Sequence, residues 1–167
     1  MARRSRYLRL EEVDLLRPVF GRRLPYYQVR LFDGAAGNPA AMMAFRNGNT
    51  AITLRHSIYF GAHYSSDFSR AEAAEQSLLA HELTHVWQYG ALGVPRFFAR
   101  YARELASVRF SAPLMYRYEE GVTRFAAARL EAQAQMVGDH MRARLTGDAA
   151  RVARLAVNLR GSEFFGL

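Results

Sequence analysis

The hydrophobic and polar positions in the first part of the chain follow mainly strand-like patterns. Residues 10–17 are an exception, because their apolar positions have helical spacing and predict a short helix that Pro18 stops. Residues 26–32 are aromatic and β-branched and predict a strand. Residues 41–60 predict two further extended pieces around an Asn-Gly-Asn turn, and the second piece, residues 51–60, alternates well enough to be a strand. This part of the chain is therefore predicted to form a small sheet.

From residue 69 onward the apolar positions follow helical spacing. Residues 69–72 have the form of a capping box, Gly90 is placed as a stop, and Pro95 can open the next helix. The predicted helices cover residues 69–89, residues 95–108, residues 124–145 with an end at Gly147, and a last amphipathic segment that Asp148 caps. A small N-terminal β-sheet followed by about four helices belongs to the α+β class.

The composition suits a single compact domain over residues 1–167. The chain has 167 residues, of which 50% are hydrophobic, and this is enough to bury one core. It contains no cysteine, which excludes disulfides, thiolate metal sites and a cysteine nucleophile. Any metal must therefore be held by histidine and carboxylate side chains.

The chain is strongly basic, with a formal net charge of +8. A basic balance favours nucleic acid or another acidic partner. The arginines are spread along the predicted helices and do not gather in one arm. We therefore interpret them as solvated helix faces, with a nucleic-acid surface as the alternative.

The N-terminal segment does not have the pattern of a signal peptide. Residues 1–10 are basic, but acidic residues follow at positions 11, 12 and 14 where a signal peptide has an apolar run. No stretch approaches the roughly 18 apolar residues of a membrane helix. We expect a soluble protein without membrane insertion, made in the cytoplasm without a signal peptide. Any export would then use a non-classical route.

The sequence His81-Glu82-Leu83-Thr84-His85 carries the strongest chemical signal in the chain. Residues four apart lie on one face of a helix, so His81 and His85 can bind the same zinc ion, Zn2+. Glu82 lies about 100° further round the helix, where it can reach a metal-bound water without binding the metal. The metal lowers the pKa of that water toward about 7, and Glu82 can act first as general base and then as general acid.

The alternative interpretation of the motif is a polar helix face whose histidines bond to backbone carbonyls or water. The flanks are strongly apolar, however, and predict a buried helix in which polar groups need a partner. The third zinc ligand is expected on a later helix. Glu131 is the favoured residue because small residues follow it and allow close helix approach, and Asp139 and His140 are its rivals. Glu131 could instead be a surface carboxylate paired with Arg124 or Arg129.

Two amide or acidic side chains follow Glu131 on the same predicted helix face. Gln135 and Asp139 come at spacings of four and could hold Glu131 or orient a ligand histidine. A peptidase also needs a donor for the oxyanion, and Tyr116 and Tyr118 are candidates that could equally be ordinary aromatics.

The predicted strand at residues 51–60 offers an edge to which an extended substrate could add as a further strand. His56 and His63 lie near this strand. We interpret both as surface residues, with metal ligation as the alternative.

The residues around the motif resemble a known family. Residues 78–88, Leu-Leu-Ala-His-Glu-Leu-Thr-His-Val-Trp-Gln, resemble the zinc-site helix of a bacterial domain found in extracellular contractile injection system loci. They are still more similar to Rhs- and Vgr-related zinc peptidases, which favour Trp-Gln after the second histidine. Upstream segments that recur in the same order in such proteins are residues 19–21, 26–30, 47–49, 58–61 and 67–69.

The resemblance extends downstream and covers residues 10–142. Residues 130–134 match the segment where this family carries a Glu-Gln-Gln-Ala-like run. Ala132 stands where Gln is usual, and Gln135 where an acidic residue is common. These departures leave the metal ligands intact and change only the groups around them.

The resemblance implies a zincin-like fold of the gluzincin type. It implies zinc held by His81, His85 and Glu131 between the motif helix and a later long helix, with Glu82 as the catalytic base. It also implies a peptidase acting on a protein or peptide substrate, with a secretion apparatus or a toxin as partner. The first alternative is a non-catalytic zinc-containing binding or scaffold module of a contractile injection system. The second is a nucleic-acid-associated protease.

Overall fold

A computed structural model describes residues 5–167, so the first four residues of the basic N-terminal segment lie outside the described part. Its sheet has four strands, β1 (Ser5–Tyr7), β2 (Arg30–Asp33), β3 (Ala51–Leu54) and β4 (Ser57–Phe60), in the order β1-β2-β4-β3. The β2–β4 pair is parallel and the other two pairs are antiparallel. Strand β3 is therefore an edge of the sheet.

Seven α-helices in the described part of the chain accompany this sheet, so the α+β class is confirmed. They are α1 (Leu10–Phe20), α2 (Pro39–Arg46), α3 (Ala73–Leu92), α4 (Val94–Ser107), α5 (Ala112–Met115), α6 (Leu130–Leu145) and α7 (Ala149–Leu159). No helix within residues 5–167 is both long and apolar enough to span a membrane.

Two of the predicted strands are wrong in their extent. The segment at 26–32 opens with a 3-10 turn, Tyr26–Gln28, and only its end belongs to β2. Residues 51–60 form a hairpin of two strands, because the backbone reverses at Arg55, which has a positive φ of 58°.

The extended piece predicted before the Asn-Gly-Asn turn is also wrong, since these residues form helix α2. The side chain of Asn38 accepts hydrogen bonds from the backbone N–H groups of Ala40 and Ala41, and Pro39 occupies the first turn. Ala41 and Ala44 are buried on one face of this helix. A local cap and small apolar residues thus override the strand-like composition.

The predicted helix signals in the second part are partly correct. Asp148 caps α7 as predicted, by accepting a hydrogen bond from the backbone N–H of Arg151. The capping box at residues 69–72 is wrong, since α3 begins later and Asp67 instead caps a short 3-10 turn. Helix α3 also continues past Gly90 and ends at Gly93, whose φ of 76° is accessible to glycine without strain.

Two further boundaries differ from the prediction. Helix α1 contains Pro18 and closes only at Gly21. Helix α6 begins at Leu130 and not at residue 124.

Helices α3 and α6 form the centre of the fold and pack closely against each other. Gly138 of α6 lies where an added Cβ would come within 3.1 Å of the backbone oxygen of Ser77 on α3. The Ser77 hydroxyl donates a hydrogen bond of 2.9 Å to the carbonyl of Gly138. This close crossing fixes the position of α6 on α3, and so decides which of its residues face the motif histidines.

Candidate metal centre

The polar residues of the motif lie in the buried middle of helix α3. His81, Glu82 and His85 are all buried, between the edge strand β3 and helix α6. Burying such groups is unfavourable unless each has a polar partner or a metal. Their contacts are therefore the first indication of function.

Glu131, in the first turn of α6, meets both histidines of α3. Its Oε2 lies 3.4 Å from Nε2 of His81 and 3.2 Å from Nε2 of His85. One ligand atom from each of the three residues falls within 4.8 Å of the others. The structure thus brings together the three residues that the sequence suggested as metal ligands.

The distances in this cluster fit a shared metal ion. Two ligands bound to one tetrahedral zinc at about 2.0–2.1 Å lie about 3.3–3.4 Å apart. Direct charge-assisted hydrogen bonds between nitrogen and a carboxylate are shorter, about 2.7–2.9 Å. The separations of 3.4 and 3.2 Å in this cluster match the first geometry better. A buried His-His-Glu group of this kind could hold a metal ion.

Gln88 fixes which ring nitrogen of His85 carries the proton. The Gln88 amide nitrogen donates to the carbonyl of Leu130 at 2.9 Å and to Oε1 of Gln133 at 3.0 Å. Its oxygen must therefore face Nδ1 of His85, 2.8 Å away, and accept the proton on that nitrogen. Gln133 is held in turn by the carbonyl of Phe125.

This hydrogen-bond chain has a consequence for the metal site. With the proton on Nδ1, neutral His85 points the lone pair of Nε2 at an oxygen of the Glu131 carboxylate. Two electron-rich atoms in a buried site repel each other unless a proton or a cation lies between them. The contacts of His85 therefore favour a positive charge, a proton or a cation, at its Nε2.

The pKa values of His85 and Glu131 shift in opposite directions, and each shift favours the charged form of its group. Burial alone would lower the pKa of His85, but the facing carboxylate of Glu131 raises it to about 9. Burial alone would raise the pKa of Glu131, but the two histidines hold it well below its usual range. A metal ion that binds here replaces the proton of His85, so metal affinity decreases as the solution becomes more acidic.

We expect the substitution Gln88→Met to weaken metal binding by about 10- to 100-fold, the usual effect of losing the group that orients a ligand histidine. Methionine fills the same space without accepting the Nδ1 proton. Competition with a chromophoric zinc chelator measures the affinity. Gln135→Met is the matched control, because Gln135 donates to Asp139 and not to the cluster. Equal zinc affinity of the wild type and Gln88→Met would contradict this role of Gln88.

Glu82 is held beside the cluster of His81, His85 and Glu131 by a residue that the sequence did not suggest. The hydroxyl of Thr53, on β3, donates a hydrogen bond of 2.7 Å to Oε2 of Glu82. Tyr89 of α3 reaches the backbone oxygen of Thr53 with its own hydroxyl at 3.4 Å. Sequence reasoning missed Thr53 because it faces Glu82 only once β3 packs against α3.

The two tyrosines considered as oxyanion donors lie in different places. Tyr116 stacks on the ring of His81 with a centroid distance of 5.9 Å and lines the same cavities as His81 and Glu82. Burial, reinforced by the nearby charge of Glu131, raises the pKa of Tyr116, so it stays a proton donor. Tyr118 instead donates a hydrogen bond of 2.6 Å to Asp139.

Tyr101 of helix α4 was missed by sequence reasoning. It lines the cavity beside Glu131, and burial together with that carboxylate raises its pKa. Nothing in the local sequence distinguishes it from an ordinary aromatic of an amphipathic helix.

The rivals of Glu131 lie outside the metal cluster. Asp139 accepts hydrogen bonds from Tyr118 and Gln135 and lies 3.5 Å from Arg151. His140 is buried against the ring of Phe165, with a centroid distance of 4.2 Å. Neither residue therefore belongs to the group formed by His81, His85 and Glu131.

The two remaining histidines also lie elsewhere. His56 is in the turn between β3 and β4, and His63 is exposed with its Nδ1 3.4 Å from the carboxylate of Glu75. Within residues 5–167, only His81, His85 and Glu131 form a group that could hold a metal.

A side chain from α4 fixes the end of α6 that carries Glu131. Glu104 accepts a hydrogen bond of 2.8 Å from the backbone N–H of Leu130. Arg100 donates to the other oxygen of Glu104 at 2.7 Å and to the carbonyl of Ala128 at 2.8 Å. The sequence alone would suggest an ordinary i,i+4 surface pair. In the structure, this pair caps α6 immediately before Glu131.

Comparison with known proteins relates the chain to secretion-associated domains. Residues 14–93 match the family model described as the eCIS core domain. Among solved structures, the chain is similar to the "Effector domain of Pseudomonas aeruginosa VgrG2b", with 26% sequence identity and a TM-score of 0.66. The match covers 93% of this chain and 82% of that chain. A comparison with curated proteins gives no match. The matches support an eCIS- and Vgr-related domain.

The two matches differ in how much of the chain they cover, and the family match contains only two of the three cluster residues. The eCIS core match runs from α1 to the end of α3 and includes Thr53, His81, Glu82 and His85, but it stops before Glu131. The match to the VgrG2b effector domain covers nearly the whole chain. The helix that contributes the third residue of the cluster therefore lies beyond the matched eCIS core.

Proposed function

We propose that this chain is a zinc-dependent metallopeptidase and an effector-type domain of a bacterial secretion system. In this proposal residues 1–167 form one zincin-like domain of the gluzincin type, with zinc held by His81, His85 and Glu131. The observation that carries the proposal is the lone pair of His85 Nε2, which Gln88 directs toward the Glu131 carboxylate. This arrangement favours a positive charge between the two atoms, either a proton or a metal ion. Three protein ligands on a zinc ion would leave a position for a reacting group.

Each group around the ligands has a role in this reaction. Zinc, when bound, supplies a Lewis acid that polarises the peptide carbonyl and makes water more acidic. Glu82 takes the proton of the attacking water and later delivers it to the leaving amine. Thr53 holds the Glu82 carboxylate in place through its hydrogen bond of 2.7 Å. Tyr116, against His81, donates a hydrogen bond to the oxyanion as it develops.

The edge strand β3 provides a place for an extended substrate. The backbone N–H of Gly61 donates to the carbonyl of Thr50, so the backbone groups of Ile52 point toward β4 and those of Ala51 and Thr53 point away from it. The carbonyl of Thr53 already accepts a hydrogen bond from Tyr89. Ala51 and Thr53 also line the cavity at the metal cluster. A peptide that pairs with this edge would lie beside Glu82.

The number of ligands favours catalysis over a purely structural metal. Structural zinc sites usually have four protein ligands, whereas catalytic sites have three and an open position. The described part of the chain supplies three, and two cavities open next to them. Similarity to a VgrG effector domain supports a secretion apparatus as the partner. The non-catalytic scaffold module is the competing proposal, and a fourth ligand in the metal-bound protein would favour it.

We expect the purified protein to contain one zinc ion per chain and His85→Ala to contain almost none. Removing His85 deletes one of three ligands and the one that Gln88 orients. Elemental analysis of protein purified after growth in zinc-supplemented medium gives the metal content. His56→Ala is the control, since His56 lies in the β3–β4 turn outside the cluster. Wild-type protein that contains no metal would refute the zinc site.

A further inference from the structure

A cavity with aromatic walls opens directly beside the metal cluster. It has a volume of about 170 Å³ and is bounded on one side by β3 and on another by helix α4. The aromatic residues that line it are Tyr89, Phe97, Phe98, Tyr101 and Tyr116. His85 and Glu131 close the end next to the metal site. A group in this cavity therefore lies next to the reacting bond.

The two phenylalanines of this cavity differ in burial. The buried ring of Phe97 stacks on Tyr89 with a centroid distance of 3.8 Å and contacts His85 edge-on at 6.2 Å. Phe98 packs edge-on against Phe97 at 5.7 Å, but half of its surface is exposed. Phe98 thus stands at the entrance, where a ligand would cover it.

The size and charge of the cavity indicate what it accepts. An apolar cavity of about 150 Å³ holds a benzene ring. Among the residues that line this cavity, the titratable groups other than tyrosine are the three of the metal cluster and Glu82, and none is a lysine or arginine. An acidic side chain would lose its hydration without gaining a basic partner, and a basic one would have to compete with the metal cluster for Glu131 and with Thr53 for Glu82. One aromatic or large aliphatic side chain matches the space.

A second cavity on the other side of the cluster has a different character. It is larger, about 530 Å³, and Asn49, Thr50, Ser77 and Gln135 give it a neutral polar lining. It shares His81, Glu82 and Tyr116 with the first cavity. The two cavities thus offer unlike surroundings on the two sides of the cluster.

We propose that the first cavity is the specificity pocket of this site, and that it selects peptide substrates with an aromatic or large aliphatic residue directly next to the cleaved bond. The proposal rests on the proposed function for the identity of the reaction. The basic net charge of the chain takes no part in the selection, because neither cavity is lined by lysine or arginine. The pocket recognises shape and apolar surface.

The test measures binding separately from cleavage. Zinc-loaded Glu82→Gln protein is titrated calorimetrically with capped pentapeptides, alanine at every position except a central Phe, Leu, Ala, Glu or Lys. We expect the Phe peptide to bind at least about tenfold more tightly than the Ala peptide. The Glu and Lys peptides should bind no better than Ala. Equal affinities, absence of binding by the Phe peptide, or a preference for Glu or Lys would overturn the proposal.

Two phenylalanines on the surface give a matched comparison. Phe98→Ala should reduce the preference for Phe over Ala severalfold, because it removes the rim of the pocket. Phe110→Ala makes the same change at an exposed ring outside the pocket and should leave the preference unchanged. If Phe98→Ala also leaves the preference for Phe over Ala unchanged, this cavity does not determine the specificity.

The outcomes separate this proposal from the proposed function. Cleavage that depends on Glu82 but shows no preference for apolar residues would refute the pocket and leave the peptidase. Selective binding of the Phe peptide without any cleavage by the wild type would refute the peptidase and support the pocket as a side-chain site.

Discussion

Replacing Glu82 with glutamine is expected to reduce kcat/KM by about 10²- to 10⁴-fold, the range associated with a lost general base. Glutamine has the same shape and can still accept the hydrogen bond from Thr53 that positions residue 82. It cannot take a proton from water. The three residues of the metal cluster are unchanged, so zinc content and folding should be retained.

The experiment compares cleavage products of a whole proteome after treatment with wild type and with Glu82→Gln, followed by rates on the best peptide found. Glu75→Gln is the control, because Glu75 lies on the same helix but faces His63. Full activity in Glu82→Gln, on a substrate that the wild type cleaves, would show that the mechanism is wrong. Loss of zinc in this variant would make the loss of activity uninformative, so elemental analysis accompanies the rates.

Replacing Glu12 with glutamine is expected to destabilise the protein by about 3–5 kcal/mol, as removal of one partner from a buried ion pair does. Glu12 is fully buried and forms a two-pronged ion pair with Arg6, both contacts being 2.7 Å. Its oxygens also accept from the backbone N–H groups of Arg9 and Phe68. Glutamine would direct an N–H group at one of these donors and leave Arg6 without its countercharge.

Thermal unfolding measures this effect, and a loss of this size corresponds to a fall in Tm of roughly 6–20 °C for a chain of this length. Glu11→Gln is the matched control, since Glu11 is the exposed neighbour on the same helix. We expect it to change stability by less than about 0.5 kcal/mol. Similar Tm values for the two variants would mean that the ion pair contributes little and that the contacts of β1 and α1 suffice.

The core of the metal site could be predicted from the sequence because it depends on helix geometry. His81 and His85 share a face wherever a helix forms, and Glu82 must then lie beside them. The sequence left the identity of the third metal ligand open between three residues. Glu131, Asp139 and His140 all lie on one helix, and each offers a ligand atom.

The side chains that hydrogen-bond to the metal cluster could not be predicted from spacing along one helix. Gln135 and Asp139 have the right spacing along α6, but the side chains that connect to the metal cluster are Gln88 and Gln133. The relevant contact is between helices, and sequence spacing describes contacts within one. Tyr116 and Tyr118 show the same limit, since only their tertiary contacts distinguish them.

The sequence by itself thus determined the α+β class, the motif helix and the chemical type of its residues, because periodicity, caps and residue chemistry are local properties. The tertiary structure decided which carboxylate meets the histidines, since the close crossing at Gly138 and the cap from Glu104 set the position of α6. It also decided that Thr53 holds Glu82 and that an aromatic cavity lies beside the cluster. These features depend on how separate elements pack, and no pattern within a single element contains that information.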